Sequence, residues 1–361
     1  MAEPVMKPPK KMLGPVAWMR AHLFSSWYNT LLTLLVGYLL VTSVGPALNW
    51  LFLEADFKGS EPSDCTGAGA CWLFINQRLN FFIYGFYPDS LQWRVNVMFV
   101  LLALSFVPQF IENFPGRKWL GIFGMTGLPV VGYFLIPGGS FGLEAVDSAK
   151  WGGLMLTLII AYIGIIASLP IGILLALGRR SDMPIIRGLC VVFIEVWRAV
   201  PLITVLFMAS VMLPLFLPEG MNFEKLLRAL IGITLWQSAY MAEVIRGGLQ
   251  AIPRGQYEAA DALGLGYWKK TGLIILPQAL KMVIPGIVNT FIALFKDTTL
   301  VLIIGLFDIL GTVQSTVTDP AWQNVAVEGY VFVAFCFWVF CFGISRYSQN
   351  LERKLDTDHK T

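Results

Sequence analysis

The sequence predicts an all-α polytopic membrane protein with about eight transmembrane helices. Of its 361 residues, 56% are hydrophobic and only 14% are charged, and the mean hydropathy is +0.67. Soluble domains carry about a quarter charged residues, so this composition excludes an ordinary soluble protein. The chain also has 12 tryptophans, many near the ends of apolar stretches. Tryptophan is enriched where a membrane meets water.

Eight apolar stretches are long enough to cross about 30 Å of hydrocarbon. In chain order they are residues 27–47, 95–111, 119–136, 153–177, 185–217, 226–245, 273–295 and 325–344. A ninth stretch, 298–310, is too short to span easily and is expected to form a re-entrant or interfacial helix. We do not expect 27–47 to be a cleavable signal peptide, because a leader precedes it and no convincing small-residue cleavage site follows.

Basic residues predict the orientation of these helices. With the N-terminus in the cytoplasm, 17 of the 26 lysines and arginines lie on the cytoplasmic side and three lie in or beside the spans. The six on the outer side are Lys58, Arg78, Arg94, Lys150, Lys225 and Arg228. Cytoplasmic loops carry an excess of Lys and Arg, so both termini and the loop 249–272 are predicted to be cytoplasmic. The loop 49–89 is then outside.

Cysteine and histidine usage limits the chemistry that the chain can perform. Cys65 and Cys71 lie in the outer loop, where an oxidising environment is compatible with a disulfide. The two histidines, His22 and His359, lie near the termini, which argues against a His-ligated metal site. No phosphate-binding GxxxxGK[ST] motif occurs, and we expect the chain to bind no cofactor and to have no catalytic residues.

The polar loop 249–272 interrupts the apolar stretches and contains a predicted short helix. Residues 253–255 form a turn, residues 256–263 are rich in helix-forming alanine, and Gly264 is placed to end the helix. One interpretation is an ordinary solvated loop helix. The other is a rigid surface, held between two spans, that is offered to a cytoplasmic partner.

The spacing of residues in this loop favours the second interpretation. Glu258-Ala259-Ala260-x3-Gly264-x9-Ile274-x-Leu276-Pro277 resembles the EAA signature of importer-type ABC permeases, with no departure from the pattern. The stretches 194–202, 240–250 and 291–300 resemble the polar amino acid permeases of the histidine/glutamine/general L-amino acid type. That family usually reads Arg-Gly-Thr-Pro where this chain has Arg-Ala-Val-Pro at 198–201.

The resemblance implies a type I importer permease core of five helices over 151–346, followed by a cytoplasmic tail over 347–361. Residues 1–150, with three spans and an external loop, resemble the extension of the general L-amino acid permease subunits. The implied function is translocation of polar amino acids across the inner membrane. The implied partners are ABC ATPase subunits that bind ATP and Mg²⁺, a second permease subunit, a periplasmic amino-acid-binding protein and the bilayer, with no nucleic acid. The residues implied to couple to the ATPase are Gln256, Tyr257, Glu258, Ala259, Ala260, Leu263 and Gly264.

Charged residues inside the predicted spans suggest a substrate pathway. Glu195 and Arg198 are three apart and share a helix face, and Pro201 loosens the same helix. We expect Arg198 to face the carboxylate of an amino acid, and Glu195 or Asp297 to lie near its ammonium group. The other candidates for the pathway are Gln237, Tyr240, Lys296 and Thr298. The alternative is that Glu195 and Arg198 form a structural pair, as we expect of Glu243 and Arg246.

Other functional classes fit the sequence less well. An ion-coupled secondary transporter of amino acids is the main alternative, but the chain has no internal repeat and no histidine within a span. An intramembrane enzyme would need a nucleophile and a base on facing spans, and none is evident. A non-transporting scaffold would not need charges within the membrane.

Overall fold

The computed structural model describes residues 14–111, 114–218, 223–322 and 324–356. His359 and the end of the predicted tail, 357–361, lie outside the described residues, as do residues 1–13. The described residues form helices, turns and three isolated bridges without a β-strand, which confirms the all-α class. The chain divides into two compact units, Met1–Phe74 and Ile75–Thr361. The predicted division at residue 150 stays a prediction.

The first unit contains a short helix α1 (Pro15–His22), a long apolar helix α2 (Trp27–Leu48) and the start of α3 (Trp72–Tyr84). Ser26 caps α2 by accepting a hydrogen bond from the Asn29 N–H, at 3.3 Å. A π-helical turn, Asn49–Leu53, extends α2, and none of its residues is buried. Cys65 and Cys71 form a disulfide in the loop that follows, with their Cα atoms 5.6 Å apart.

The second unit contains fourteen further helices of the α type within its described residues. They are α4 (Gln92–Phe106), α5 (Arg117–Ile122), α6 (Leu128–Leu135), α7 (Gly153–Arg179), α8 (Pro184–Ala199), α9 (Leu202–Phe207), α10 (Leu213–Phe216), α11 (Lys225–Ala251), α12 (Arg254–Ala262), α13 (Tyr267–Lys270), α14 (Leu276–Met282), α15 (Ile284–Asp297), α16 (Ile309–Val317) and α17 (Ala326–Asp356).

The core of the second unit is built by α7 packing along α11 and α15. Leu156 and Ile160 of α7, Ile233 of α11 and Leu294 of α15 are fully buried together. Association of helices in lipid depends on close packing rather than on a hydrophobic driving force, and small residues allow that approach. Gly172 of α7 illustrates this, because a Cβ atom there would lie 2.7 Å from the Met241 side chain.

The helices α4 and α6 pack against α7 through a second apolar cluster. Val95 of α4, Ile136 at the end of α6 and Met155 of α7 are buried in it. Tyr87 joins the cluster and donates a hydrogen bond to the Ile136 carbonyl at 2.7 Å. The second and third predicted spans are therefore packed onto the first helix of the predicted permease core.

Six helical segments among the described residues are long and apolar enough to cross a membrane, or seven if the bent pair formed by α8 and α9–α10 counts as one span. The six are Trp27–Leu53, Asp89–Phe110, Arg117–Leu135, Gly153–Arg179, Ile284–Ile304 and Ala326–Leu355. The 27-residue helix α11 is also long enough but carries more polar residues. With α11 and the bent pair included, these elements correspond to the eight predicted stretches.

Three details of the predicted spans were wrong. The stretch 185–217 is not one helix, because α8 ends at Ala199 and the chain turns by 101° before α9. Pro201 begins the new segment, since proline lacks an N–H and disfavours helical geometry in the preceding residue.

The seventh span begins later than predicted, at Ile284, because Val283, two residues before Pro285, leaves helical geometry. The stretch 298–310 is not a separate re-entrant helix. Its first part, the 3₁₀ helix Thr298–Ile304, completes the seventh span, and Gly305 then turns the chain at φ 71°.

Candidate functional site

The predicted coupling helix is α12, which lies between α11 and α13. It ends where the sequence predicts, because Gly264 adopts φ +70°, a left-handed conformation that favours glycine. The Gly264 N–H donates to the Asp261 carbonyl at 2.9 Å, and the Leu265 N–H donates to the Ala260 carbonyl at 3.2 Å. These bonds satisfy carbonyl groups that the helix end would otherwise leave unpaired.

One side of α12 is fixed to the rest of the second unit. Ala260 is buried, and the Tyr257 hydroxyl donates to the Leu249 carbonyl of α11 at 3.2 Å. Lys270 of α13 forms an ion pair with Asp261 at 2.6 Å. Gln278 of α14 donates to the Gln256 side chain at 3.2 Å. The helix is thus attached at four points to the elements before and after it.

The other side of α12 is open to solvent. Glu258 and Ala259 are exposed, and so is Leu263, an apolar side chain that is 75% exposed. The seven predicted coupling residues therefore divide into two groups. Ala260 is buried and Tyr257 is partly buried by contacts within the chain. The other five are exposed, namely Gln256, Glu258, Ala259, Leu263 and Gly264.

A cluster of charged side chains joins α7, α8 and α11. Glu243 of α11 accepts hydrogen bonds from Arg179 of α7 at 2.7 Å and from Arg246 at 2.8 Å. Arg198 of α8 lies 3.7 Å from the same carboxylate. Glu195 of α8 pairs with Arg179 at 2.9 Å. Three arginines thus share two carboxylates, and we refer to these five residues as the Arg–Glu cluster.

The pair between Glu195 and Arg198, which the alternative interpretation expects, is not formed. Each of these residues binds a different partner, because α7 and α11 bring opposite charges closer than the three-residue spacing within α8 does. The expected pair between Glu243 and Arg246 is present. Arg179 is the residue that the sequence reasoning missed. It was counted only as a cytoplasmic charge, and no local pattern indicates that it reaches two other helices.

Of the remaining pathway candidates, only Tyr240 contacts the Arg–Glu cluster among the described residues. Tyr240 is close to it, since its hydroxyl donates to the Arg198 carbonyl at 3.4 Å and its ring lies 5.7 Å from the Arg198 guanidinium. Gln237 is buried and donates to the Thr290 carbonyl at 2.9 Å, which ties α11 to α15. Thr298 is buried and donates to the Phe295 carbonyl.

Lys296 and Asp297 end α15 and form no ion pair with any residue in the described part of the chain. The structure thus brings Glu195, Arg198 and Tyr240 together, whereas Lys296, Asp297 and Thr298 make no polar contact with the Arg–Glu cluster. Among the described residues, no group of three or more His, Cys, Asp or Glu side chains is arranged to hold a metal ion.

Comparisons with known proteins agree with the pattern of helices. Residues 168–357 match the family described as "Binding-protein-dependent transport system inner membrane component". The inner membrane amino-acid ABC transporter permease protein YhdY of Escherichia coli (strain K12) is 57% identical over 343 residues, covering 95% of this chain and 93% of that protein.

Two further matches were found. The glutamate/glutamine/aspartate/asparagine transport system permease protein BztC of Rhodobacter capsulatus is 43% identical, covering 98% of this chain and 96% of that protein. A solved structure, described as an amino acid ABC transporter with histidines, matches with a TM-score of 0.50 at 29% identity. It covers 56% of this chain and 92% of the solved chain.

Proposed function

Because the chain belongs to the family of inner membrane components of binding-protein-dependent transport systems, we propose that it is the permease subunit of an ATP-driven importer of polar amino acids. Both the Escherichia coli and the Rhodobacter capsulatus relatives are named as amino acid permeases over nearly the full length of this chain. The chain itself carries no phosphate-binding motif, so the ATP and Mg²⁺ are assigned to a separate ATPase subunit.

The observation that carries this proposal is the geometry of α12. A helix that transmits force must be rigidly attached on one side and accessible on the other. In α12 the attachment is through Tyr257, Ala260 and Asp261, and the accessible side presents Glu258, Ala259 and Leu263. A groove on the ATPase would receive this accessible side, and ATP-driven closure of two ATPase subunits would then move α11 and α14 through α12.

The Arg–Glu cluster is the proposed cytoplasmic end of the substrate pathway. Its weakest contact is the one between Arg198 and Glu243, where 3.7 Å is too long for a hydrogen bond. Arg198 is therefore the arginine most readily drawn to the carboxylate of a passing amino acid. Glu195 is half exposed and is the carboxylate available to an ammonium group. Asp297, Lys296, Gln237 and Thr298 make no polar contact with the Arg–Glu cluster and remain candidates for other parts of the pathway.

The assembly that this function requires has further members. By analogy with the family's description, a binding protein delivers the substrate on the outer side. A second permease subunit completes the pathway, and both termini of this chain face the cytoplasm, as the basic residues predict. The partner permease is expected to be a related but different chain.

The proposal is tested by purifying the tagged full-length chain in detergent and identifying the proteins that accompany it. An ABC ATPase is expected to accompany the unchanged chain and to be lost from a Glu258→Lys variant. Glu258 is exposed, so this change should leave the chain folded.

The matched control is Asp182→Lys, a charge reversal at an exposed residue of the loop between α7 and α8. This variant should retain the ATPase. A stable complex that transports amino acids without any ATPase would contradict the proposal and support an ion-coupled transporter.

A further inference from the structure

A cavity of about 460 Å³ opens where the end of α7, the start of α8 and the end of α11 meet. Its lining is basic and consists of Arg179, Arg180, Arg187, Val191, Arg246 and Gln250. Two of these arginines also belong to the Arg–Glu cluster, but the lining itself contains no carboxylate. We refer to this cavity as the arginine pocket.

The positive charges of the arginine pocket are only partly balanced. Arg179 and Arg246 share the carboxylate of Glu243, and Arg179 also pairs with Glu195. Arg180 donates from Nη1 to two neutral oxygens, the Leu249 carbonyl at 2.7 Å and the Tyr257 hydroxyl at 3.0 Å. Arg187 is exposed, and its guanidinium group forms no ion pair or hydrogen bond with a residue in the described ranges.

The unused donors of the arginine pocket are of the chemical type that an oxyanion requires. The Nε and Nη2 groups of Arg180 make no hydrogen bond with a described residue. The guanidinium group of Arg187 also makes none. A guanidinium group presents parallel N–H donors that match a carboxylate or phosphate in a bidentate manner. An anion between the four arginines would also relieve their mutual repulsion.

We propose that the arginine pocket binds a small oxyanion, a carboxylate or a phosphate group, between Arg180 and Arg187. Two sources carry this chemistry. One is a soluble anion of the size of succinate or inorganic phosphate, and the other is the headgroup phosphate of an anionic phospholipid. A cavity of this size falls in the usual range for small-ligand sites, about 300–1,000 Å³. The inference does not depend on which substrate the protein carries.

The position of Arg180 connects this site with α12. The guanidinium group lies 5.6 Å from the ring of Tyr257, and the two side chains are hydrogen bonded. An oxyanion that binds Nε and Nη2 of Arg180 therefore holds in place the side chain that fixes Tyr257. Occupancy of the pocket should make the attachment of α12 to α7 and α11 more rigid.

Direct binding to the full-length chain tests the proposal. The purified chain is placed in phosphatidylcholine nanodiscs and titrated calorimetrically with succinate and with inorganic phosphate. In a second arm, the chain is placed in nanodiscs that contain phosphatidylglycerol, and its melting temperature is compared with that in phosphatidylcholine alone. Binding in the first arm identifies a soluble anion, and stabilisation in the second arm identifies a lipid headgroup.

Three variants separate a built site from general attraction between charges. Arg187→Gln should weaken the binding at least about tenfold, or abolish the stabilisation by phosphatidylglycerol, because one charged hydrogen-bonding partner is lost. Arg187→Lys keeps the charge without the fork of donors and should have an intermediate effect. Lys118→Gln, the same loss of charge at an exposed residue outside the pocket, should bind as the unchanged chain does.

Two results would overturn the proposal. One is that neither soluble anion binds and phosphatidylglycerol does not stabilise the unchanged chain. The other is that Lys118→Gln weakens binding as much as Arg187→Gln does, which would show general attraction between charges. Because Arg187 is exposed and has no described polar partner, a folding defect is not expected to obscure the comparison.

Discussion

The Arg179 guanidinium and the Glu243 carboxylate lie 2.7 Å apart although 64 residues separate them in the chain. Arg179 is in the last turn of α7, and Glu243 is eight residues before the end of α11. Arg179 also binds Glu195 of α8, so one side chain connects the three helices. This connection is where the core of the second unit, the proposed pathway and the arginine pocket meet.

Replacing Glu243 by Gln should destabilise the protein. The change removes the carboxylate shared by Arg179, Arg198 and Arg246 and leaves three like charges close together. A charge-assisted hydrogen bond is worth about 1.5–3 kcal/mol, and we expect a loss of that order in the free energy of unfolding. Thermal unfolding of the purified chain measures it.

The control for this change is Asp261→Asn, which removes a single ion pair, that with Lys270, at a half-exposed carboxylate. Exposed pairs contribute about 0–1 kcal/mol, so the melting temperature should change much less. Equal decreases in melting temperature in the two variants would show that Glu243 contributes no more to stability than an exposed ion pair does.

Replacing Gly264 by Ala should weaken the end of α12. A Cβ atom at Gly264 would meet nothing within 4 Å, so the effect arises only from the backbone conformation at φ +70°. That conformation costs an L-residue about 1–2 kcal/mol. Hydrogen exchange of the amide groups of α12 should become faster, and transport should fall if the helix couples to an ATPase.

Gly266 provides a matched control two residues away. A Cβ atom there would also meet nothing within 4 Å, but its φ is −66°, which any residue can adopt. Gly266→Ala should therefore leave the exchange rates unchanged or slightly slower. If both variants behave alike, the left-handed conformation of Gly264 is not what ends the helix.

The disulfide between Cys65 and Cys71 predicts the number of thiols that alkylation detects. In the denatured but unreduced chain, alkylation should label three cysteines, Cys190, Cys336 and Cys341. After reduction, it should label five. Mass spectrometry of the chain purified from membranes distinguishes these numbers. Five labelled cysteines before reduction would show that the loop carries free thiols and would contradict the disulfide.

The buried carboxyl group of Asp308 predicts a pH dependence of stability. Burial raises the pKa of Asp308 to about 6, although the N–H donors at the start of α16 partly oppose that shift. Its Oδ2 atom has no hydrogen-bond partner among the described residues. The folded state therefore holds the proton more tightly than the unfolded state, whose pKa is near 3.8. The stabilisation is complete below pH 3.8 and is lost as the pH rises to about 6.

An Asp308→Asn variant should remove this dependence, since Asn is also a good N-cap residue. The free energy of unfolding of the variant minus that of the unchanged chain should be larger at pH 8 than at pH 5, by about 1–2 kcal/mol. Melting temperatures at the two pH values measure it. A constant difference between the two proteins at both pH values would show that Asp308 does not titrate in this range.

Features that depend on local chemistry could be predicted from the sequence. The length of the apolar stretches fixes which segments can cross a membrane, and the alanines with Gly264 fix α12 and its end. Pro201 was expected only to loosen a single helix over 185–217, and the 101° turn between α8 and α9 was not predicted. In each case, the physical cause lies within a few residues of the feature.

Which charged side chains meet depends on the packing of helices that are distant in the chain. Glu195 and Arg198 share a face of α8, but the packing of α7 and α11 supplies each with a closer partner. The same packing gathers Arg179, Arg187 and Arg246 around one cavity. Such contacts depend on how helices far apart in the chain cross and rotate against each other, and no spacing within a single helix encodes that.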